Sequence, residues 1–318
     1  MQQINKSPYW RSNTTCNMNR IVFSVSTNKK LAKEVAQSLN AELGKVYKKT
    51  FADGEVMVKS ASDVANKDVV IIQSTSKNVN DELFSLLLLL DSVKRSGAKS
   101  VKLFMPYFAY SRQERVSWTN EPVSCEVVAN IIDTANFDDL TCFDLHHPII
   151  ETFFKHKIKN KPTTKLFAEY YKDYFAEYGL TNEKVVIVSP DHGSNSRADM
   201  LSHELGGVQI VILDKVRPQP NRAEHLEIDG SRVKNKVCIL IDDIIDTGGT
   251  ICSASRLLHE KGAKSVLVAA THAVLSKGCI TRLKESGIDD LVVTNTIEKK
   301  LDPMVKIVDI LPLVLEEI

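Results

Sequence analysis

The stretch Val237-Cys238-Ile239-Leu240-Ile241-Asp242-Asp243-Ile244-Ile245-Asp246-Thr247-Gly248-Gly249-Thr250 decides how the chain is read. An apolar run without alternation marks a strand buried on both faces, as in parallel sheets covered by helices. This strand delivers two carboxylates at its carboxyl end, where open α/β sheets bind ligands. The turn that follows is built of small residues, so backbone N–H groups can approach an anion. A helical pattern from Ile251 to Lys261 then adds the positive end of a helix dipole. Carboxylates for hydroxyls beside amides for phosphate describe a site for a phosphorylated sugar. The rival reading of Asp242-Asp243, a magnesium site in a P-loop ATPase, needs a G-x-x-x-x-G-K-[ST] loop that the chain lacks. A helix cap at Asp246 or Thr247 would not require three acids, two glycines and two threonines together.

Outward from that stretch, β-branched runs at 69–72, 101–105, 185–188, 208–213 and 266–270 alternate with helical patterns. In one of these, Leu83, Leu86, Leu87, Leu90 and Val93 form an apolar stripe that ends at Gly97. This is the signature of βαβ units. Gly97-Ala98-Lys99-Ser100-Val101 recurs verbatim as Gly262-Ala263-Lys264-Ser265-Val266, each copy closing a helix and opening a strand. The chain therefore reads as an α/β duplication. The expected organisation is a disordered extension over 1–19, a first domain over 20–160 and a second over 161–318. The last residues are expected to pack back on the first domain.

Composition narrows the function classes. With 41 Lys+Arg against 40 Asp+Glu and no basic block, the chain is not built to grip nucleic acid. The longest apolar cluster, Leu83 to Leu90, is flanked by acids and falls far short of the ~20 residues that cross a bilayer. The first nineteen residues lack the apolar run of a secretory signal. The six cysteines are scattered without a C-x-x-C pair, which points to buried thiols in a reducing cytoplasm.

Asp242 to Thr250 resembles the phosphoribosyl-pyrophosphate-binding motif of type I phosphoribosyltransferases, and most closely that of ribose-phosphate pyrophosphokinases. Further motifs carry the resemblance from about Ile21 to the carboxyl end. They are Phe51-Ala52-Asp53-Gly54-Glu55, Asn80-Asp81-Glu82-Leu83, the 106–113 segment ending in Arg112-Gln113, Asp144-Leu145-His146 and Val188-Ser189-Pro190-Asp191. The resemblance implies two similar three-layer phosphoribosyltransferase-like domains with mainly parallel sheets. It also implies transfer of the diphosphoryl group of ATP to the 1-hydroxyl of ribose 5-phosphate, releasing AMP.

The resemblance assigns roles by position. Asp242 and Asp243 would accept the ribose hydroxyls, and Asp246, Thr247, Gly248, Gly249 and Thr250 would cradle the 5-phosphate. Lys215 and Arg217, in a polar segment that runs to Gly230, match a mobile catalytic pair closing over the transferred phosphate. Arg112 and Gln113 match ATP contacts. Phe51, Asp53 and Glu55 match an adenine-recognising hairpin supplied by a neighbouring subunit, so at least a homodimer, up to a hexamer, is implied. His146 and Asp191 match ligands of Mg2+, motif position favouring His146 over the adjacent His147. Asp63, Ala65, Val116 and Asn120 depart from the pattern of phosphate-activated members, and the chain stops at Ile318 without their C-terminal extension, which implies activity without that activation. Two alternatives are a phosphoribosyltransferase and a noncatalytic synthetase-associated subunit.

Overall fold

The computed structural model describes residues 17–190, 192–216 and 225–318. The first half contains β1 (Asn17–Phe23), α1 (Lys29–Ser38), β2 (Ala41–Leu43), the hairpin strands β3 (Val46–Thr50) and β4 (Val56–Ser60), β5 (Asp68–Ile72), α2 (Val79–Arg95), β6 (Ser100–Met105), α3 (Ser124–Asp133), β7 (Asp139–Phe143) and β8 (Ile158–Lys161). The second half contains α4 (Thr164–Tyr178), β9 (Val185–Ser189), α5 (Asn195–Glu204), β10 (Ile210–Ile212), the hairpin strands β11 (Asp214–Val216) and β12 (His225–Glu227), β13 (Val237–Ile245), α6 (Gly249–Glu260), β14 (Ser265–Ala273), α7 (Cys279–Lys284), β15 (Asp290–Thr294), β16 (Val305–Val308) and α8 (Leu311–Leu315).

Two six-stranded sheets result, β2-β1-β5-β6-β7-β8 and β10-β9-β13-β14-β15-β16, and every pairing within them is parallel. Numbered within its own half, each sheet has the same strand order, and each half inserts a hairpin between its second and third sheet strands. The duplication extends to the turns. Asn66 and Asn235 are left-handed at φ 58° and 60°, and their N–H groups donate to Gly97 O and Gly262 O, each at 2.8 Å. Asp138 and Asp289 each accept the N–H that opens the equivalent strand, at Val101 and Val266.

Both sheets are buried on both faces, which explains the unbroken apolar runs. Alternate residues of the first sheet enter one core with α2 and α3 and another with α1 and α8. The second sheet is covered by α6 and α7 on one face and by α4 and α5 on the other. The halves meet through residues at the carboxyl ends of their strands. Asn28 Nδ2 and Ser74 Oγ donate to Thr296 O at 3.0 and 2.7 Å. Asp144 accepts from the Thr163 N–H and from Thr271 Oγ1 at 3.0 and 2.6 Å.

Three expectations change. Asn17–Asn19 are not part of a disordered extension: they lie in β1, where Asn17 is paired with Ala41, and residues 1–16 lie outside the described residues. The apolar run 208–213 yields only the short strand Ile210–Ile212. The polar segment after Leu213 is not all loop, because β11 and β12 pair antiparallel, Lys215 opposite Leu226. Of the cysteines, the five described ones are unpaired and buried, and burial pushes the Cys125 and Cys238 thiols up to about 12.

Candidate active site

β13 is longer than its apolar run because Asp242, Ile244 and Ile245 continue pairing with β14. This rigid extension carries the carboxylates into the junction of the halves. Asp243 is buried, 2% exposed, and is held from two sides: His146 Nδ1 lies 2.8 Å from Oδ2, and Arg197 Nη1 lies 3.7 Å from Oδ1. Burial opposes its ionisation, but the His146 hydrogen bond and the Arg197 charge prevail and hold its carboxyl well below the usual range. Asp242 accepts from Ser194 Oγ at 3.0 Å and is pushed up, by burial first and by the Asp243 charge second. The hydrogen bond to Asp243 raises the His146 pKa against the opposing effect of burial.

The two neighbouring histidines separate by geometry. His147 accepts the Ile149 N–H at 3.1 Å and caps the short helical turn Pro148–Phe153. His146 turns toward Asp243, leaving Nε2 as the ring nitrogen available to a ligand.

The turn ends in a left-handed Gly248, φ 78°, which caps α6 without any side-chain hydrogen bond. The first-turn amides of α6 lack intrahelical partners, that of Gly249 reaching only Thr247 Oγ1 at 3.5 Å, and suit an anion. Gly248 is required by space as well as by φ, since a Cβ there would lie 2.9 Å from Cys279 Sγ. Arg282 Nε and Nη2 donate to Thr247 O at 2.9 and 2.5 Å and buttress the turn with positive charge. Thr247, Gly249 and Thr250 are exposed in the same turn. Asp246 faces elsewhere: Arg112 Nη1 donates to its Oδ2 at 2.8 Å, and Ser276 Oγ donates to Oδ1. Burial pushes its carboxyl up, but these two partners outweigh it and hold it below the usual range.

Arg112 and Gln113 line a cavity of about 420 Å³ with Asn78, Asn80, Tyr107 and Tyr110. Glu82, buried at the base of α2, accepts the Ser76 and Lys77 N–H groups at 2.6 and 3.2 Å, so that motif residue organises a loop. Phe51, Asp53 and Glu55 do not line this cavity. They form the exposed tip of the β3–β4 hairpin, where the Phe51 N–H donates to Glu55 O at 2.7 Å and Lys49 Nζ sits 4.7 Å from the Phe51 ring centre. Lys215 is placed by its backbone in β11, while Arg217 and Asp191 lie outside the described residues.

Ser194, Arg197, Ser276 and Arg282 escaped the sequence reading. The signal for the first two was a polar run directly after the apolar strand Val185–Ser189, at the ligand-binding end of the sheet.

Paired carboxylates beside a glycine-rich helix start, at the facing strand ends of two like domains, make an arrangement suited to hydroxyls next to an anion. Comparison makes this specific. Residues 20–135 match the N-terminal domain of ribose phosphate pyrophosphokinase, and 156–300 match the phosphoribosyl transferase domain. The chain is 42% identical over 301 residues to a ribose-phosphate pyrophosphokinase of Bacillus caldolyticus, covering 93% of each chain. It is 42% identical to ribose-phosphate pyrophosphokinase 2 of Enterococcus faecalis, covering 87% of this chain and 84% of that one. A crystal structure of phosphoribosylpyrophosphate synthetase from Mycobacterium smegmatis superimposes with a TM-score of 0.84 at 35% identity, over 94% of this chain and 97% of that one. The chain belongs to the ribose-phosphate pyrophosphokinase family.

Proposed function

We propose that the chain transfers the diphosphoryl group of ATP to the 1-hydroxyl of ribose 5-phosphate, giving 5-phosphoribosyl 1-diphosphate and AMP. The observation that carries this reading is the convergence of two unlike sites at one junction. One is the Asp242 to Thr250 stretch on β13 and α6; the other is the Arg112–Gln113 cavity of the first half. A phosphoribosyltransferase reading gives the second cavity no task.

In this assignment Asp242 and Asp243 hold the ribose hydroxyls, and the amides and hydroxyls of Thr247 to Thr250 hold the 5-phosphate. The sugar O1 attacks the β-phosphorus, the bond from that phosphorus to the α–β bridging oxygen breaks, and AMP leaves with the bridging oxygen. Lys215 and Arg217 neutralise charge developing on the transferred group. Phe51, Asp53 and Glu55, held at an exposed hairpin tip, reach the nucleotide of a neighbouring copy, so the working form is at least a homodimer.

Mg2+ takes one or two carboxylates together with phosphate oxygens and waters. Among the described residues no group of three His, Cys, Asp or Glu side chains is arranged to hold an ion. His146, whose Nδ1 is engaged by Asp243, and Asp191 would be the protein donors, the remaining positions falling to phosphate oxygens and waters. When bound, the ion would neutralise phosphate charge. Buried, unpaired thiols support a reducing cytoplasm, and no described helix is long and apolar enough to cross a membrane. AMP release from ATP and ribose 5-phosphate by the purified chain tests the proposal; AMP-free turnover of a nucleobase with phosphoribosyl pyrophosphate would replace it with the transferase reading.

A further inference from the structure

We propose that Asp246, although it stands in the sugar-phosphate turn, is a positioning residue for the nucleotide, orienting the Arg112 guanidinium across the junction. The inference rests on the activity proposed above.

Three observations carry it. The first is that both Asp246 oxygens are committed away from the turn's amides, Oδ2 to Arg112 Nη1 at 2.8 Å and Oδ1 to Ser276 Oγ. An ionised carboxylate accepts hydrogen bonds only and repels a phosphate, so this side chain does not suit the cradle that its neighbours form. The second is that Asp246 is the acid paired with Arg112 among the described residues, while Arg112 lines the nucleotide-side cavity with Gln113, Tyr107 and Tyr110. The guanidinium carries five N–H donors in a rigid fork. Fixing one of them sets the plane of the rest before a triphosphate arrives, which spares rotamer entropy in a side chain that is 48% exposed. The third is that the anchor is itself fixed. The Ser276 N–H donates to Asp246 O at 3.0 Å, and the next carbonyl, Thr247 O, is gripped by Arg282. The depressed carboxyl pKa agrees with a permanently charged anchor.

The arrangement also couples the substrates. Sugar phosphate settling into the turn that Asp246 begins stiffens the anchor of Arg112, so ribose 5-phosphate tightens nucleotide binding, and the reverse holds by linkage.

The test is a calorimetric cycle on the full chain with magnesium. α,β-Methylene ATP and ribose 5-phosphate are titrated into the wild type, Asp246→Asn, Arg112→Ala and the double variant. Asparagine keeps the shape and the Ser276 contact but removes the charge. The expected result is about tenfold weaker binding of the analogue to Asp246→Asn, little change for ribose 5-phosphate, and a double variant no weaker than Arg112→Ala. Unchanged analogue affinity, loss confined to ribose 5-phosphate, or effects that multiply in the double variant would each overturn the inference. Absence of AMP release by the wild type would instead overturn the activity, a separate outcome from the binding cycle.

Discussion

His146, in the loop that follows β7 of the first sheet, and Asp243, on β13 of the second, share a 2.8 Å hydrogen bond. The bond completes a clamp on Asp243, with Arg197 on the other oxygen, and Arg197 Nη2 ties the same point to Leu145 O at 3.0 Å. Asp243 of one half is thus held by a loop of the other.

Asp242→Asn and Asp243→Asn should each weaken ribose 5-phosphate binding while leaving α,β-methylene ATP binding near normal. The carboxylates adjoin the turn proposed to hold the 5-phosphate, and neither lines the Arg112 cavity. Calorimetry with each ligand decides; loss of nucleotide binding alone would return the site to an ATPase-type metal reading.

Lys215→Ala should lower kcat by ~10²–10³ or more with little change in ribose 5-phosphate affinity, because a cation acting on developing charge is felt mainly in the transition state. Steady-state kinetics with separate binding titrations checks the split. A near-normal kcat would remove Lys215 from catalysis.

Gly248→Ala combines a left-handed φ with a 2.9 Å contact to Cys279 Sγ, and should cost about 1–3 kcal/mol of stability while raising KM for ribose 5-phosphate. Adding Cys279→Ala should relieve the contact but not the φ strain, restoring part of the stability. Urea unfolding of the single and double variants reads this; no recovery in the double variant would assign the whole cost to backbone strain.

His272 is 3% exposed, between Thr296 Oγ1 at 3.0 Å and Phe143 O at 3.1 Å. Burial holds its pKa below the ordinary value despite the pull of Asp243 and Asp144. A base depressed by folding contributes stability that is present above its unfolded pKa, about 6.5, and lost as pH falls through that value toward the folded one. Stability should therefore decline below about pH 6.5, with this residue adding at most about 1.4 kcal/mol per pH unit. His272→Asn should flatten the decline. An identical acid slope in the variant would exclude His272.

Mixing a Glu55→Ala chain with a Lys215→Ala chain should regain activity if the hairpin tip completes a neighbour's site and subunits exchange. Full activity in a species shown monomeric by sedimentation would refute that assembly.

The sequence was most legible where physics is local. Val69 to Ile72, Val185 to Val188 and Val266 to Ala270 became strands because unbroken β-branched runs suit sheets covered on both faces, and Gly97 and Gly262 ended helices at φ 82° and 85°. β8, Ile-Lys-Asn-Lys, carried no such signal, being a polar edge strand held by pairing with β7. The direction Asp246 faces was illegible for a related reason, since its partners Arg112 and Ser276 are remote in sequence. Arg197 was passed over because one buried arginine in a polar run has no periodicity to betray it.

The packing of α8 bears on how the chain can be made. Ile310, Leu313 and Val314 lie in one core with Val22, Leu31, Val35, Val70 and Ile72, and Glu317 is bound by Lys159 and Lys161 of β8 at 2.7 and 2.8 Å. During synthesis the first half leaves the ribosome long before these residues do, so one apolar face of its sheet waits with only part of its cover, from α1, while the second half is translated. Nascent chains arrested before residue 310 should therefore draw chaperones to the amino-terminal half, because a helix made after the whole second half completes the cover of the first sheet.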